Sequence, residues 1–298
     1  MDRPSVPGVE RGSWEYGAVS GILALVGTPI GNLGDISPRA AQALADADLI
    51  CCEDTRRTRT LLSALNIPAG SRLISLHEHN EQAKAQRIVD RVKAGDSVVV
   101  VSDAGMPGIS DPGSILVAVA AEQGCGVTVI PGPSAVLGAL VISGLPSERF
   151  VMEGFLPRKG RERRSVLEDL SREGRTSVIF ESPHRLVDTL KDLASLGNPE
   201  RLAVVVRELT KIHEEVRRGS LTELVAHFSE SPPRGEIVLI LRGSESEPKR
   251  TIEDAEIIDH LNDSLAAGMS KRDAASAAAA ELKVPRSRAY ELASSLPR

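Results

Sequence analysis

The stretch Gly27-Thr-Pro-Ile-Gly-Asn-Leu-Gly34 directly follows an apolar run, Ile22–Val26, that is typical of a β-strand. Two more loops rich in glycine and proline follow strand-like runs in the same way: Ser102-Asp-Ala-Gly-Met-Pro-Gly-Ile-Ser-Asp-Pro-Gly113 and Pro131-Gly-Pro-Ser-Ala135. Ligands of open α/β sheets bind beyond the carboxyl ends of the strands, where glycine lets the backbone approach and proline fixes the loop. These loops therefore predict a preformed pocket for a small cofactor, although ordinary turns between strands and helices favour the same residues.

Strand-like and helix-like segments alternate along the first half of the chain, which predicts a mainly parallel sheet with helices on both faces. The run Ser97–Val101 is continuously apolar, as expected of a strand buried on both faces. The sequence predicts two α/β domains, 21–146 with the glycine-rich loops and 147–243, and then a helical unit over 250–298. That unit is interpreted either as a helix-turn-helix or as a brace against the second domain, and residues 1–20 are expected to be a disordered tail.

Helix starts are predicted from side chains that cap the first turn. The predicted caps are Ser37, Asp111, Ser134, Ser182 and Ser220. Proline follows Ser37, Asp111 and Ser182, at a position where its fixed φ suits a helix. The cap at Ser134 directs a helix N-terminus toward the third loop, an arrangement that suits a ligand carboxylate.

The composition narrows the class of protein. The chain has 298 residues, of which 41% are hydrophobic and only 2% aromatic, so the core must be aliphatic. A net charge of -5 does not indicate a globally basic nucleic-acid binder, although local basic patches remain open. Three cysteines without a C-x-x-C pair predict free thiols in a reducing cytoplasm. The uncharged stretch Val127–Leu145 contains proline and glycine, which favours a strand, a loop and a buried helix over a membrane span.

The first loop stands where a dinucleotide fingerprint would stand, but its spacing is G-x-x-x-G-x-x-G. Glu53 and Asp54 end the second strand, where a ribose-binding acid belongs, so a nicotinamide-dependent oxidoreductase remains an alternative. The sequence has no G-x-x-x-x-G-K-[ST] motif of a nucleoside triphosphatase. His77-Glu-His79 is only a weak metal motif, and we predict no metal.

Six strings of the chain, taken in order, resemble the tetrapyrrole-methylase superfamily and, within it, the branch that acts on ribosomal RNA. They are Val26-Gly-Thr-Pro-Ile-Gly-Asn-Leu-Gly-Asp-Ile-Ser-Pro-Arg-Ala40, Cys52-Glu-Asp-Thr-Arg56, Val101–Gly113, Pro131–Ala135, Gly154-Phe-Leu-Pro-Arg158 and Phe180-Glu-Ser-Pro-His-Arg185. The resemblance spans about residues 21–243 and extends to the C-terminal helical unit. Enzymes of the superfamily that methylate tetrapyrroles typically have Gly-Asp-Pro where this chain has Gly105-Met-Pro107, and that departure favours the RNA branch.

The resemblance implies a homodimer that binds S-adenosyl-L-methionine in the cleft between its α/β domains. It also implies 2'-O-methylation of a cytidine in the decoding region of small-subunit (16S) rRNA, either naked or in the assembled small ribosomal subunit. The cofactor contacts that it implies are Thr28, Pro29, Gly31, Asp103, Gly105, Met106, Pro107, Ile109, Pro131, Gly132, Ser134 and Ala135. A ribose hydroxyl has a high pKa, so a base or a cation near it would help. The candidates in the matched strings are Glu53, Asp54, Arg56, Glu181, His184 and Arg185.

The densest basic run follows a Gly/Pro loop in the second half of the chain. Its members are Arg158, Lys159, Arg161, Arg163 and Arg164. Basic residues at a helix N-terminus oppose the helix dipole, so we favour phosphate contacts over a merely solubilising helix start. A second, weaker basic set lies in the C-terminal unit, at Lys271, Arg272, Arg286 and Arg288. The alternatives are a precorrin-type tetrapyrrole methyltransferase, the oxidoreductase above, and a non-catalytic ribosome-assembly factor.

Overall fold

The computed structural model describes residues 21–244, 252–282 and 284–296. The predicted tail at 1–20 and most of the segment before the C-terminal helices lie outside these ranges. The chain divides into two compact units, Met1–Ser244 and Glu245–Arg298. The predicted boundary between the α/β domains at residues 146 and 147 falls inside the first unit and stays a prediction.

The first half of the larger unit is a five-stranded parallel sheet with the strand order β3-β2-β4-β1-β5. Its strands are β1 (Ile22–Val26), β2 (Leu49–Cys52), β3 (Leu73–Ser75), β4 (Ser97–Val101) and β5 (Gly126–Ile130). Its helices are α1 (Pro38–Asp46), α2 (Thr55–Ala64), α3 (Glu78–Lys93), α4 (Ser114–Glu122) and α5 (Ala135–Ser143). Separate apolar clusters cover its two faces. The predicted parallel α/β arrangement is confirmed.

The second half is a five-stranded mixed sheet with the order β6-β7-β10-β8-β9, in which β6 and β7 pair parallel and the other neighbours pair antiparallel. Its strands are β6 (Phe150–Phe155), β7 (Thr176–Glu181), β8 (Leu202–Arg207), β9 (Glu215–Ser220) and β10 (Ile237–Leu241). Its helices are α6 (Gly160–Arg172), α7 (Leu186–Leu196) and α8 (Leu221–Glu230). These helices pack together on one face of the sheet.

Helix α5 belongs to the first half but packs on the other face of the second sheet. Val136 and Leu140 of this helix lie in one buried cluster with Val206 and other residues of that sheet. At the C-terminal end of α5, the Arg218 side chain donates from Nε to the Ser143 carbonyl at 3.0 Å. Because α5 follows β5 of the first sheet and packs on the second sheet, it joins the two sheets on the side where the third loop lies.

The predicted caps Ser37, Ser134 and Ser220 are confirmed, because each side chain accepts a hydrogen bond from a backbone N–H in the first turn. Two predicted helix starts are wrong. Helix α4 begins after Gly113 rather than at Asp111, and helix α7 begins after Arg185 rather than at Ser182.

The reason for the late start of α4 is a distant carboxylate. The buried Glu81 of α3 accepts from the backbone N–H groups of Gly113 and Leu116, at 3.0 and 2.9 Å. Glu81 thereby caps α4, whose own sequence supplies no side-chain cap. At α7, the segment from Ser182 to Arg185 forms a hydrogen-bonded turn first, because the Ser182 carbonyl accepts from the Arg185 N–H at 3.0 Å.

The described part of the C-terminal unit consists of α9 (Asp254–Ala266), α10 (Lys271–Glu281) and α11 (Arg286–Ser295). Its core is lined by fully buried alanines around Ile257 and Leu261. Small side chains let the helices approach closely, which explains the alanine-rich composition of this segment. Within the ranges that the structure describes, no helix has the length and apolar character that a membrane span requires.

Candidate active site

A cavity of about 490 Å³ lies between the carboxyl ends of the strands of the first sheet and one face of the second sheet. The wall on the first sheet is lined by Ile30, Glu53, Arg57, Asp103, Ala104, Gly105, Met106, Ile109, Ser110, Asp111, Ser134, Ala135 and Val136. The opposite wall is lined by Phe155, Phe180, Glu181, Ser182, Pro183, Val206, Leu209, Gly235, Glu236, Ile237 and Val238. The second and third glycine-rich loops thus contribute to one side of a largely apolar space that is open to solvent.

The first and second glycine-rich loops are joined by a short antiparallel bridge. The Thr28 N–H donates to the Gly105 carbonyl at 2.9 Å, and the Gly105 N–H donates back to the Thr28 carbonyl at 3.1 Å. Gly105 has a φ of +86°, a conformation that favours glycine. The Thr28 side chain is buried and does not line the cavity. Its observed contribution is to hold the two loops together.

The first and third loops touch through two glycines. A methyl group placed on Gly27 would lie 2.6 Å from the Gly132 Cα atom and 2.8 Å from the Met106 sulfur. Such distances are shorter than real contacts, so only glycine permits this approach. The three loops therefore form one continuous backbone surface behind the cavity.

The twelve predicted cofactor contacts fall into two groups. Those that line the cavity are Asp103, Gly105, Met106, Ile109, Ser134 and Ala135. Those that do not line it are Thr28, Pro29, Gly31, Pro107, Pro131 and Gly132. A side chain on Gly31 would collide with Lys211 in the loop after β8, so this glycine lets the first loop approach the second half.

Three carboxylates, Glu53, Asp103 and Asp111, line the cavity from the first sheet. One oxygen of Asp103 accepts from the Asp54 N–H at 3.0 Å, and the other lies 3.5 Å from Nε of Arg57. Burial, and then the charge of Asp103, raise the pKa of Glu53. Burial, and then the charge of Glu53, raise the pKa of Asp111 from 3.8 to about 6. The cavity therefore has a negative field that favours a cationic ligand.

The structure brings Glu53 and Glu181, among the six catalytic candidates, to the cavity. The carboxylate of Glu181 is already engaged: Oε1 accepts from the Ser182 N–H at 2.8 Å and Oε2 accepts from the Thr189 hydroxyl at 2.6 Å. Nε of Arg185 lies 3.5 Å from Oε1. Among the residues that the structure describes, no comparable set of donors faces the Glu53 carboxylate, so Glu53 is the more available carboxylate of the two.

The other four candidates do not line the cavity. Asp54 caps α2 and pairs with the exposed Arg56 at 2.7 Å, and this guanidinium holds the pKa of Asp54 well below its usual range. His184 is exposed. Arg185 donates to the carbonyls of Leu156 and Pro157 at 2.9 and 3.1 Å, so it supports the loop after β6.

Sequence reasoning missed several lining residues. Asp111 was interpreted as a helix cap, although it stands in a matched string. Phe155 and Phe180 lie in matched strings too but received no role. Leu209 and Val238 carry no sequence signal, because a mixed sheet pairs strands that are distant along the chain.

The basic run after β6 lies outside the cavity lining. Arg158, Lys159, Arg161 and Arg164 are exposed. Arg163 is only 11% exposed, and it donates to Asp192 at 2.8 Å, to the Thr189 hydroxyl at 3.0 Å and to the Pro157 carbonyl at 3.2 Å. These bonds assign the Arg163 side chain to the support of the protein interior, and the RNA contact stays a prediction.

Most members of the second basic set bond within their own helical unit. Lys271 donates to the Leu296 carbonyl at 2.6 Å, Arg286 donates to the Ser276 hydroxyl at 2.8 Å, and Arg288 pairs with Asp254 at 2.5 Å. Arg272 is exposed. The role of this set in RNA binding stays a prediction.

The geometry now has counterparts among known proteins. A family model described as Tetrapyrrole (Corrin/Porphyrin) Methylases matches residues 23–225. A Ribosomal RNA small subunit methyltransferase I from Synechocystis is 44% identical over 91% of this chain and 97% of its own length. The protein with the same name from Mycobacterium tuberculosis is 48% identical over 88% of this chain and 90% of its own length.

Solved structures support the same fold. A cobalamin biosynthetic enzyme, cobalt precorrin-4 methyltransferase, superimposes with a TM-score of 0.57 at 17% identity, over 78% of this chain and 98% of that one. The solved structure shows the two-sheet fold, and the family model and the curated relatives define the class as a methyltransferase. The chain belongs to the tetrapyrrole methylase family, and its sequence places it in the ribosomal RNA small subunit methyltransferase I branch.

Proposed function

We propose that this protein transfers a methyl group from S-adenosyl-L-methionine to the 2'-hydroxyl of a cytidine in small-subunit rRNA. The observation that carries the proposal is the identity of 44–48% with ribosomal RNA small subunit methyltransferases I over about nine tenths of the chain. The likeness to the precorrin enzyme, at 17% identity, supports the fold and leaves the substrate open. The chain has Gly105-Met-Pro107 where enzymes that methylate tetrapyrroles typically have Gly-Asp-Pro, and this difference favours RNA as the substrate.

The cavity fits the proposed cofactor in shape and charge. The contact of Gly27 with Gly132 lets the loops behind the cavity pack closely, and Met106 and Ala135 of the lining supply apolar walls for an adenine ring and a thioether. The carboxylate of Asp103 suits an ammonium group or a ribose hydroxyl. When bound, S-adenosyl-L-methionine supplies an electrophilic methyl carbon on a positively charged sulfur, which the acidic residues of the cavity would favour.

We propose that Asp111 accepts the proton of the ribose hydroxyl. Its pKa of about 6 lies close to neutral pH, where a carboxylate can be both ionised and basic. Glu53 supports this role because its charge contributes to the raised pKa of Asp111. The walls of the cavity would align the reacting groups, and alignment accounts for a large part of the rate in such displacements.

The exposed members of the basic run are proposed to hold the RNA backbone. In a protein with a net charge of -5, attraction to phosphate must be local. Arg158, Lys159 and Arg161 follow directly on strand β6, which lines the cavity, so phosphates of a nucleotide entering the cavity would meet them. Each phosphate contact adds about 0.7–0.9 to the slope of log affinity against log salt.

The proposed homodimer has candidate contacts on helix α5 and strand β5. Val141 of α5 is 74% exposed, and Leu137 of the same helix and Val129 of the edge strand β5 are also exposed. Exposed large apolar side chains that group together are typical of contacts between proteins. Light scattering tests this proposal: Val141→Glu should convert a dimer to a monomer, and a wild-type monomer would contradict it.

The decisive experiment measures tritiated methyl transfer to small ribosomal subunits and to naked rRNA, with the modified nucleotide mapped. Incorporation into neither substrate would refute the proposed function. Calorimetry should find binding of S-adenosyl-L-methionine and none of NADP, which distinguishes a methyltransferase from the oxidoreductase.

A paired charge variant tests the RNA surface. Arg158→Ala combined with Arg161→Ala should weaken RNA binding and lower its salt slope by about 1.4–1.8, while cofactor affinity stays unchanged. Arg172→Ala is the matched control, because Arg172 is an exposed arginine at the other end of the same helix. Equal RNA affinity of the double variant and the wild type would exclude this surface.

A further inference from the structure

Strand β6 contains an irregularity that determines the direction of its last side chains. Its register with β7 shifts between Met152 and Gly154, so that Phe155 lies opposite Phe180. Without the extra residue, side-chain alternation would direct position 155 to the opposite face. The face opposite the cavity carries the helices α6–α8, and the next residue, Leu156, is buried among them. The bulge therefore directs Phe155 into the cavity.

The two phenylalanine rings form a small aromatic surface in this wall. Their centroids are 5.5 Å apart and the ring planes are inclined by 50°. Phe180 is half-buried and packs on the cluster that contains α5, whereas Phe155 is 64% exposed. The Phe180 ring thus supports the Phe155 ring, and much of the surface of Phe155 stays open to the cavity and the solvent.

This use of aromatic residues is unusual for the chain. It has four phenylalanines among 298 residues, and Phe155 and Phe180 both line the same cavity. The core is built from aliphatic side chains, so the outer ring is not needed for packing. An exposed ring fixed in a cavity is suited to a flat partner that stacks on it.

The charges beside the ring identify the kind of partner. Arg158 and Lys159 follow Phe155 by three and four residues, and both are exposed. Of the carboxylates that line the cavity, Glu53, Asp103 and Asp111 lie on the other wall. Glu181 and Glu236 share the wall of the ring, where Arg185 and Lys211 lie beside them. This arrangement matches a ligand with a flat, neutral group attached to an anionic backbone. The flat group would stack on Phe155, and the anionic backbone would contact Arg158 and Lys159. A nucleotide of a single-stranded or looped RNA has this chemistry.

We propose that Phe155, supported by Phe180, is the stacking platform for the base of the nucleotide that is methylated. This inference rests on the proposed function and extends it to the way in which the acceptor is held. A base that stacks on Phe155 leaves its stack in the RNA and brings its ribose between the two walls of the cavity. Phe155 is a binding and positioning residue, and it takes no part in proton transfer.

The experiment compares three substitutions in the full-length protein: Phe155→Leu, Phe155→Ala and Phe155→Trp. Methyl transfer to small ribosomal subunits that lack the modification gives kcat/KM, and calorimetry gives the affinity for S-adenosyl-L-methionine. Loss of the ring should lower kcat/KM for the RNA substrate by roughly 5- to 150-fold, whereas tryptophan should retain it within about threefold. Cofactor affinity should stay within about twofold of the wild type for every variant.

Leu196→Ala serves as the control for loss of an exposed apolar side chain outside the cavity. Thermal melting verifies that each variant folds, which the exposure of Phe155 leads us to expect. If the wild type is active and Phe155→Leu has the same kcat/KM for the RNA substrate, the stacking platform is overturned and the proposed function stands. A parallel loss of cofactor affinity would assign the ring to the cofactor and overturn the proposal as well. A wild-type protein that transfers no methyl group to RNA would refute the proposed function and this inference together.

Discussion

Replacing Asp111 with asparagine should make the protein more stable and less active at neutral pH. The cavity raises the pKa of this carboxyl from 3.8 to about 6, which corresponds to about 3 kcal/mol at pH 7. Because the side chain is half-buried, screening by water reduces this figure to about 1–2 kcal/mol. The neutral amide avoids the cost of burying a charge, so the free energy of unfolding should rise by that amount, and the melting temperature by about 2–8 °C.

The stability difference between Asp111→Asn and the wild type should depend on pH, because only the wild type can ionise at this position. A folded-state pKa above the unfolded value means that the favourable contribution of Asp111 is fully present below pH 3.8 and is lost as the pH rises through about 6. Asp111→Asn should therefore be more stable than the wild type at pH 7.5 and equally stable at pH 3.5. Unfolding in urea at both pH values measures this difference, with the exposed Glu148→Gln as the control.

The same variant tests the proposed base. Methyl transfer by Asp111→Asn should fall by about 10²- to 10⁴-fold. The wild-type kcat/KM should rise with pH around a midpoint near 6, and Glu53→Gln should move that midpoint downward because it removes a neighbouring negative charge. The reasoning fails if Asp111→Asn is no more stable than the wild type at pH 7.5, or if its transfer activity is unchanged.

Three further predictions concern the scaffold of the site. Glu81→Ala should lower the free energy of unfolding by about 1–3 kcal/mol, because it leaves two buried backbone N–H groups without their acceptor, and denaturant unfolding checks this. Gly27→Ala should weaken binding of S-adenosyl-L-methionine at least tenfold by calorimetry, because the added methyl group collides with Gly132; unchanged affinity would contradict this. Arg163→Ala should lower the melting temperature without changing the salt dependence of RNA binding, because the Arg163 guanidinium bonds to Asp192. A reduced slope of log affinity against log salt would instead show that Arg163 contacts RNA phosphates.

Local patterns were sufficient to predict the first sheet. The apolar runs at Ile22–Val26 and Ser97–Val101 became strands with those bounds, and the caps Ser37 and Ser134 act within their own first turns. The start of α4 escaped prediction because its cap, Glu81, lies more than thirty residues earlier. Periodicity along the chain contains no information about such a partner.

The residues of the candidate site also fall into those that local sequence predicts and those that depend on distant contacts. Asp103 and Met106 could be predicted because a loop after a parallel strand must lie at the carboxyl edge of the sheet. On the opposite wall, Glu181 could be predicted from a matched string. The place of Phe155 could not, because the bulge before it and the pairing of its strand arise only in the folded sheet. The ion pair of Arg163 could not be predicted for a related reason, since its partner Asp192 belongs to the next helix.

The order of the second sheet also has a consequence for synthesis of the protein. Strand β10, the last of the ten strands described, lies at the centre of that sheet, between β7 and β8. A growing chain can complete the first sheet with its three loops while the opposite wall still lacks its central strand. The cavity closes only after Leu241 has emerged from the ribosome. A protein proposed to modify ribosomes would therefore become active only after this central strand has been synthesised and has paired with β7 and β8.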